Sequence, residues 1–146
     1  LSRPMRIFLN VADLPGDVID KMVAEAFGRA VPSGPHLRAF SLGHGGYLFA
    51  AVDPSSVELR WRLNADERWQ AQSFGATEGG SVPPSARLLA AFDLRRDGRP
   101  EVLLQRVDRV SRGGELRDVS DSIILLALDR RGGRFESLNT LTIHEY

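Results

Sequence analysis

A glycine-rich turn carries the residue best suited to acid–base chemistry. His44 has glycines on both sides in the segment 43–46 and is followed closely by Tyr47. Glycines let backbone N–H groups approach a ligand, and a histidine can act as a general base or as a recognition side chain. A solvated histidine in a β-turn accounts for the same residues. If the turn is catalytic, we expect a carboxylate such as Asp53 or Asp93 to orient His44.

A second candidate site is the loop 93–101, where Asp93, Asp97 and Glu101 accompany arginines. Calcium takes six to eight oxygen ligands and favours carboxylates, so an acidic loop after an apolar strand suits this ion. Arg95 and Arg96 interrupt the loop, however, and a guanidinium has no lone pair to offer and repels a divalent cation. We therefore expect no bound cofactor and a loop without calcium, in which Arg95 or Arg96 supplies the positive charge.

The sequence around this loop resembles the FG-GAP or VCBS repeat. Residues 88–104 (LLAAFDLRRDGRPEVLL) are similar to its strand, acidic loop and second strand, and residues 123–135 (IILLALDRRGGRF) are similar to its closing hairpin. In that family each repeat forms a four-stranded propeller blade whose loop holds calcium. The resemblance implies a single degenerate copy in the C-terminal part, with the ligand positions kept at Asp93, Asp97 and Glu101 and lost at Arg95.

Aromatic and arginine side chains are the remaining candidates for binding. Trp69 is either a core residue or an exposed interface anchor, since tryptophan and arginine dominate binding hot spots. Arg112 and Arg117 lie in the mixed-charge segment 109–118, which we predict to be a long hairpin loop. The predicted binding residues are His44, Tyr47, Trp69, Arg112 and Arg117.

The composition excludes several classes of function. Basic and acidic residues number 19 each, so no net charge attracts nucleic acid or an anionic membrane. The chain has no cysteine, which excludes thiolate chemistry, and none of the common catalytic or nucleotide-binding motifs occurs. No apolar run approaches the roughly 20 residues that cross a bilayer. We expect a protein partner, no nucleic acid and no membrane span.

Hydrophobic periodicity predicts the elements that position these residues. Apolar residues from Val18 to Phe27 repeat at helical spacing, which predicts one amphipathic helix, preceded by a strand over 5–11. Four short β-type runs follow between 37 and 74, and four more between 87 and 145. Strict alternation over 57–63 places Trp61 in the core and the charged residues of that strand in solvent.

The predicted fold is mainly β: two four-stranded antiparallel meanders, propeller-blade-like or a sandwich, with one N-terminal amphipathic helix that caps an end or an edge. We expect a single domain over 1–146, with the first meander over 37–74 and the FG-GAP-like second meander over 87–146. Turns at regular intervals of 8 to 12 residues are typical of such all-β folds.

These observations predict a non-enzymatic protein-binding module, of the inhibitor or immunity type, that presents loops from a rigid β scaffold. The resemblance implies a periplasmic or secreted location. Two alternatives stay open: a small hydrolase or lyase that uses His44, and a structural segment of a larger envelope assembly, since the start at Leu1 indicates a removed upstream segment. We expect the partner at turn 43–46 or at segment 109–118, and not on the helix face with Asp20 and Glu25.

Overall fold

The structure is a computed structural model that describes residues 6–7, 16–32, 34, 36–53, 56–74, 85–129 and 131–145. Within these residues the chain forms one helix and nine strands. In chain order they are β1 (Arg6–Ile7), α1 (Gly16–Phe27), β2 (Leu37–Gly43), β3 (Gly46–Asp53), β4 (Ser56–Arg62), β5 (Gln70–Phe74), β6 (Ser85–Asp93), β7 (Glu101–Arg112), β8 (Glu115–Leu128) and β9 (Phe135–Glu145).

The strands form two antiparallel meanders, as the sequence predicts. The first sheet has the order β2-β3-β4-β5, and the second has the order β6-β7-β8-β9, extended at β6 by the two-residue strand β1. Every pairing except that of β1 with β6 joins strands that are consecutive in the chain. The remainder of the strand predicted over 5–11 lies outside the described residues.

The two sheets pack face to face, so the fold is a sandwich. Because side chains alternate along a strand, β4 directs Val57, Leu59 and Trp61 toward the second sheet. They meet Leu104 of β7 and Leu126 of β8 in one apolar core. Trp61 has no exposed surface, which confirms its prediction as a core residue.

Helix α1 covers the outer face of the first sheet and does not cap an end or an edge. Ile19, Val23 and Phe27 pack on Leu37 and Phe49, which point away from the second sheet. Val18, which the helical pattern assigns to the apolar stripe, is 61% exposed. Among the described residues, no helix is long and apolar enough to cross a bilayer.

The helix also changes the environment of the charged residues of β4. The alternation predicts that Glu58, Arg60 and Arg62 face water, but all three are half-buried. Arg60 donates to the carbonyl of Ala26 at 3.5 Å, and its guanidinium lies 5.4 Å from the Phe27 ring. The prediction of a solvent face was wrong because α1 lies over that side of the strand.

The segment 109–118 is a two-stranded ribbon, so its prediction as a loop was wrong. Strands β7 and β8 pair through Arg109↔Asp118 and on to Arg112↔Glu115. Gly113 and Gly114 close the hairpin with φ of 59° and 83°, the two consecutive positive angles that a type I′ turn requires.

Candidate functional site

A cleft of about 620 Å³ opens at one end of the sandwich. The turns between β2 and β3, between β4 and β5 and between β6 and β7 converge there, because alternate turns of a meander lie at the same end. The cleft is lined by Leu42, Gly43, His44, Leu63, Asn64, Glu67, Asp93, Asp97, Gly98 and Arg99. The structure thus brings the two sequence candidates, the histidine turn and the acidic loop, to one site.

Close backbone packing fixes the wall of the cleft formed by the first sheet. Ala65 donates its backbone N–H to the carbonyl of His44 at 3.1 Å. A Cβ on Gly46 would clash with the carbonyl oxygen of Leu63, so this position requires glycine. Glu67 accepts hydrogen bonds from the backbone N–H of Leu63 at 3.1 Å and from the Asn64 side chain at 3.2 Å. These contacts hold the β2–β3 turn against the β4–β5 turn.

His44 occupies a strained position at the rim of this cleft. Its φ is +55°, and Gly43 and Gly45 beside it have φ of +84° and +74°. Apart from glycines, the described residues contain one further positive φ, that of Arg96 in the β6–β7 loop at the same end. Left-handed non-glycine residues cluster at functional sites, although histidine tolerates this region better than most residues.

The carboxylates proposed to orient His44 are not placed to do so. Among the described residues, no hydrogen bond or ion pair joins the His44 imidazole to a carboxylate. Asp93 lines the same cleft, but its two oxygens accept the backbone N–H groups of Asp97 at 3.0 Å and Gly98 at 2.8 Å. Asp53 ends β3 at the opposite end of the sandwich and binds Ser56, so its proposed role with His44 was wrong.

The β6–β7 loop is held together by its own arginine. Glu101 is fully buried and accepts the Arg95 Nε–H at 2.6 Å and the Leu94 N–H at 2.8 Å. Arg95 also donates to the carbonyl of Leu128 at 3.2 Å and lies 3.8 Å from an oxygen of Asp97. Of the two arginines proposed to supply the positive charge, Arg95 pairs with carboxylates of the loop.

The ligand set implied by the resemblance is thus engaged within the chain. Asp93, Asp97 and Glu101 accept hydrogen bonds from loop N–H groups or from Arg95. Across the described residues, no group of three or more histidine and carboxylate side chains is placed to hold a metal ion. The Arg95 guanidinium in the middle of the loop pairs with Glu101, one of these carboxylates.

The β8–β9 turn joins the same end of the sandwich. Arg99 donates to the carbonyl of Asp129 at 3.0 Å, and Trp61 Nε1 donates to the carbonyl of Gly132 at 2.8 Å. The Trp61 ring meets Phe135 edge to face, with centroids 4.8 Å apart. One core tryptophan therefore fixes the turn of the opposite sheet beside the cleft.

Tyr47 and Trp69 come together away from the cleft, on the helix side of the first sheet. Both rings stack on Phe49, with centroids 5.7 and 5.3 Å away. Arg62 lies 4.4 Å from the centre of the Trp69 ring and covers it. Trp69 is half-buried, and its Nε1 has no hydrogen-bond partner within the described part of the chain. Trp69 thus serves mainly to pack this layer.

An ion-pair cluster ties the end of α1 to β4. Glu58 accepts from Arg29 at 2.8 Å and also from Arg60. The hydrogen bond from Arg29 is the main reason that the pKa of the Glu58 carboxyl lies below its ordinary value; partial burial opposes this shift, and Arg60 adds to it. The cluster stabilises the packing of helix on sheet.

The hairpin of β7 and β8 extends beyond the described residues of both neighbouring strands. Strand β6 pairs with β7 up to Ser85↔Val107, and β9 pairs with β8 up to Ser120↔Glu145. Residues 109–118, here named the arm, follow a β-bulge. Among the described residues, the two strands of the arm pair only with each other. Arg117 in the arm is exposed and lies 3.8 Å from Glu115, whereas the side chain of Arg112 lies outside what is described.

The predicted site residues therefore fall in three places. His44 lies at the cleft, Tyr47 and Trp69 lie under the helix layer, and Arg112 and Arg117 belong to the arm. Sequence reasoning missed the contribution of Asn64 and Glu67 to the cleft. Their asparagine-to-glutamate spacing in a turn is the signal that could have found them.

Comparisons of the chain with protein-family models, with curated proteins and with solved structures find no match. The similarity of residues 88–104 and 123–135 to FG-GAP repeats is accordingly a sequence-based hypothesis.

Proposed function

We propose that this chain is a non-enzymatic protein-binding module, of the inhibitor or immunity type, and that it contacts its partner through the arm. The observation that supports this most strongly is that the arm, residues 109–118, extends beyond the described residues of β6 and β9. An isolated two-stranded hairpin has little stability of its own in water, so such an extension contributes more to contact with a partner than to the fold. Four residue pairs project it by roughly 13 Å.

Charge on the arm gives it specificity for a polar partner surface. Its register sets Arg109 opposite Asp118 and Arg112 opposite Glu115. Side chains of both signs on this ribbon can match complementary charges, which favours the correct partner over others. A periplasmic or secreted location is supported by the FG-GAP resemblance, because that family is mostly found there and is mostly adhesive.

The test compares the parent with an arm-shortened variant that lacks residues 109, 110, 117 and 118. This deletion removes two residues from each strand, so the remaining side chains keep their faces. Both proteins, with an Asp20→Ala, Glu25→Ala helix variant as control, are used to capture partners from the envelope fraction of the source cell. We expect a stoichiometric partner with the parent and the helix variant, and none with the shortened arm.

Once the partner is known, Arg117→Ala is expected to weaken its binding by roughly thirtyfold, which corresponds to about 2 kcal/mol for an interface anchor. Melting curves must match those of the parent. If the helix variant alone loses affinity, the arm is not the contact surface and the proposal is wrong.

A hydrolase or lyase is the second candidate, favoured by the cleft that holds both His44 and Asp93. The enzyme hypothesis requires turnover of a chromogenic ester or phosphodiester. His44→Ala must abolish this turnover, and Val18→Ala, a change of an exposed helix residue, must leave it unchanged. Under the protein-binding proposal we expect hydrolysis no faster than in buffer. Turnover that depends on His44 would establish the enzyme instead.

A further inference from the structure

Strand β9 forms an edge of the second sheet and presents apolar side chains to solvent. Leu138, Leu141 and Ile143 are 55%, 63% and 51% exposed. They make up half of the large exposed apolar side chains among the described residues, the others being Val18, Leu94 and Val119. An apolar edge strand is a template for pairing with another strand.

Between two irregularities in its pairing with β8, the edge lacks the charges and the proline that usually prevent such pairing. Residues 137–143 (SLNTLTI) contain no charged residue, no proline and no glycine. Natural edge strands commonly carry lysine or proline at these positions. Register shifts in the β8–β9 ladder leave Leu138 and Ile143 without a partner position on β8. The segment between them, 139–142, pairs with β8 without a register shift.

We propose that two copies of this chain associate through β9, antiparallel and centred on Thr140, to give one sheet that runs through both molecules. The occupant is a second copy, because its β9 presents the same uncharged, partly apolar segment 137–143. The chain has a net charge of 0, so copies do not repel each other. In this register Glu136 of each copy lies opposite His144 of the other, and no like charges meet.

The neighbouring register toward Leu141 is less favourable. A shift by one residue, which centres the pairing between Thr140 and Leu141, sets Glu136 opposite Glu145, and like charges directly opposite each other destabilise a strand pair. In the proposed register the two Leu141 side chains are diagonal neighbours across the axis, on the same face. Diagonal neighbours lie roughly 7–8 Å apart, within reach of leucine. Leu141 then provides the apolar centre of a two-fold interface.

The first test measures mass by sedimentation over a dilution series from low to high micromolar protein. We expect twice the 16.1 kDa chain mass at high concentration. Leu141→Lys places two cations near the axis and is expected to raise the dissociation constant at least about tenfold, since a central anchor is lost. Val18→Lys is the matched control, because Val18 on α1 is 61% exposed against 63% for Leu141.

The second test uses the absence of cysteine from the chain, which makes a single introduced cysteine unambiguous. Residues directly opposite in an antiparallel pair have Cα atoms roughly 4.5–5.5 Å apart, which suits a disulfide. Thr140→Cys should therefore cross-link to a covalent dimer under mild oxidation, and Val18→Cys should not.

A single-chain mass at every concentration would overturn the proposal, and so would a dimer that Leu141→Lys and Val18→Lys affect equally. A dimer in which Thr140→Cys does not cross-link would overturn the register. Binding through the arm is independent of this pairing, so failure of the dimer does not bear on the proposed function.

Discussion

Replacing Arg95 by methionine tests whether the β6–β7 loop depends on its own cation. The variant keeps an apolar stem of similar length but removes the donor 2.6 Å from the buried Glu101 carboxylate. Removal of every partner of a buried charge lowers the free energy of unfolding by about 3–5 kcal/mol. Glu101 keeps the Leu94 N–H, and the Arg95 side chain is 39% exposed, so we expect a loss of about 2–3 kcal/mol, as for hydrogen bonds to charged groups.

The assay is unfolding in urea and by heat. For a domain of this size a loss of that magnitude lowers the melting temperature by roughly 6–10 °C. Arg96→Met is the control, because Glu101 pairs with Arg95 and not with the neighbouring Arg96, and replacement of Arg96 should change stability by less than about 0.5 kcal/mol. Replacing both Arg95 and Glu101 by methionine should recover most of the loss, because a buried ion pair can be exchanged for apolar groups at little cost.

Equal stability of the Arg95→Met and Arg96→Met variants would refute this account of the loop. A double variant that is as unstable as Arg95→Met alone would also refute it, because the loss of stability would then not arise from a Glu101 carboxylate without its partner.

The remaining predictions concern calcium, the two tryptophans and the Glu58 cluster. Because Arg95 fills the loop, the parent should melt at the same temperature in chelator and in millimolar calcium; a rise of several degrees would show that the native state binds the ion. Trp61→Ala should lose about 3–5 kcal/mol in urea unfolding, and a variant as stable as the parent would contradict its burial. Trp69→Phe removes a buried N–H without a partner in the described structure, so its stability should stay within about 1 kcal/mol of the parent; its fluorescence, now from Trp61 alone, should be that of a buried indole. The lowered pKa of Glu58 means that its contribution is present above about pH 4.5 and is lost as pH falls through the folded-state value. The difference in melting temperature between parent and Glu58→Gln should therefore shrink below about pH 4.5, and a difference that grows with acid would contradict the pairing with Arg29.

The fold was predictable where one local pattern decides which face of a strand is buried. The alternation from Val57 to Leu63 identifies β4 and places Trp61 in the core without knowledge of other strands. The same pattern could not show what lies on the other face. Helix α1 precedes β4 by about 30 residues, and nothing local indicates that it covers Arg60 and Arg62.

The site was predictable only in parts, because it joins segments that are distant in sequence. His44 and Asp93 are each conspicuous, but their common cleft depends on how two meanders stack. The arm was mistaken for a loop because the evidence for a ribbon lies in which residues pair across the turn. Arg109, for example, is opposite Asp118. Cross-strand charge pairs stabilise a ribbon, yet along the chain they look like mixed surface charge.

The consecutive strand order of the two meanders has a consequence for folding kinetics. Each of β2–β5 and β6–β9 pairs with its neighbour in the chain, so a pairing closes only a short loop and loses little chain entropy. We expect each meander to form early and separately. Docking of the two sheets then brings Trp61 of the first meander against Phe135 and Gly132 of the second. That docking joins contacts more than 70 residues apart and is the step expected to limit the folding rate.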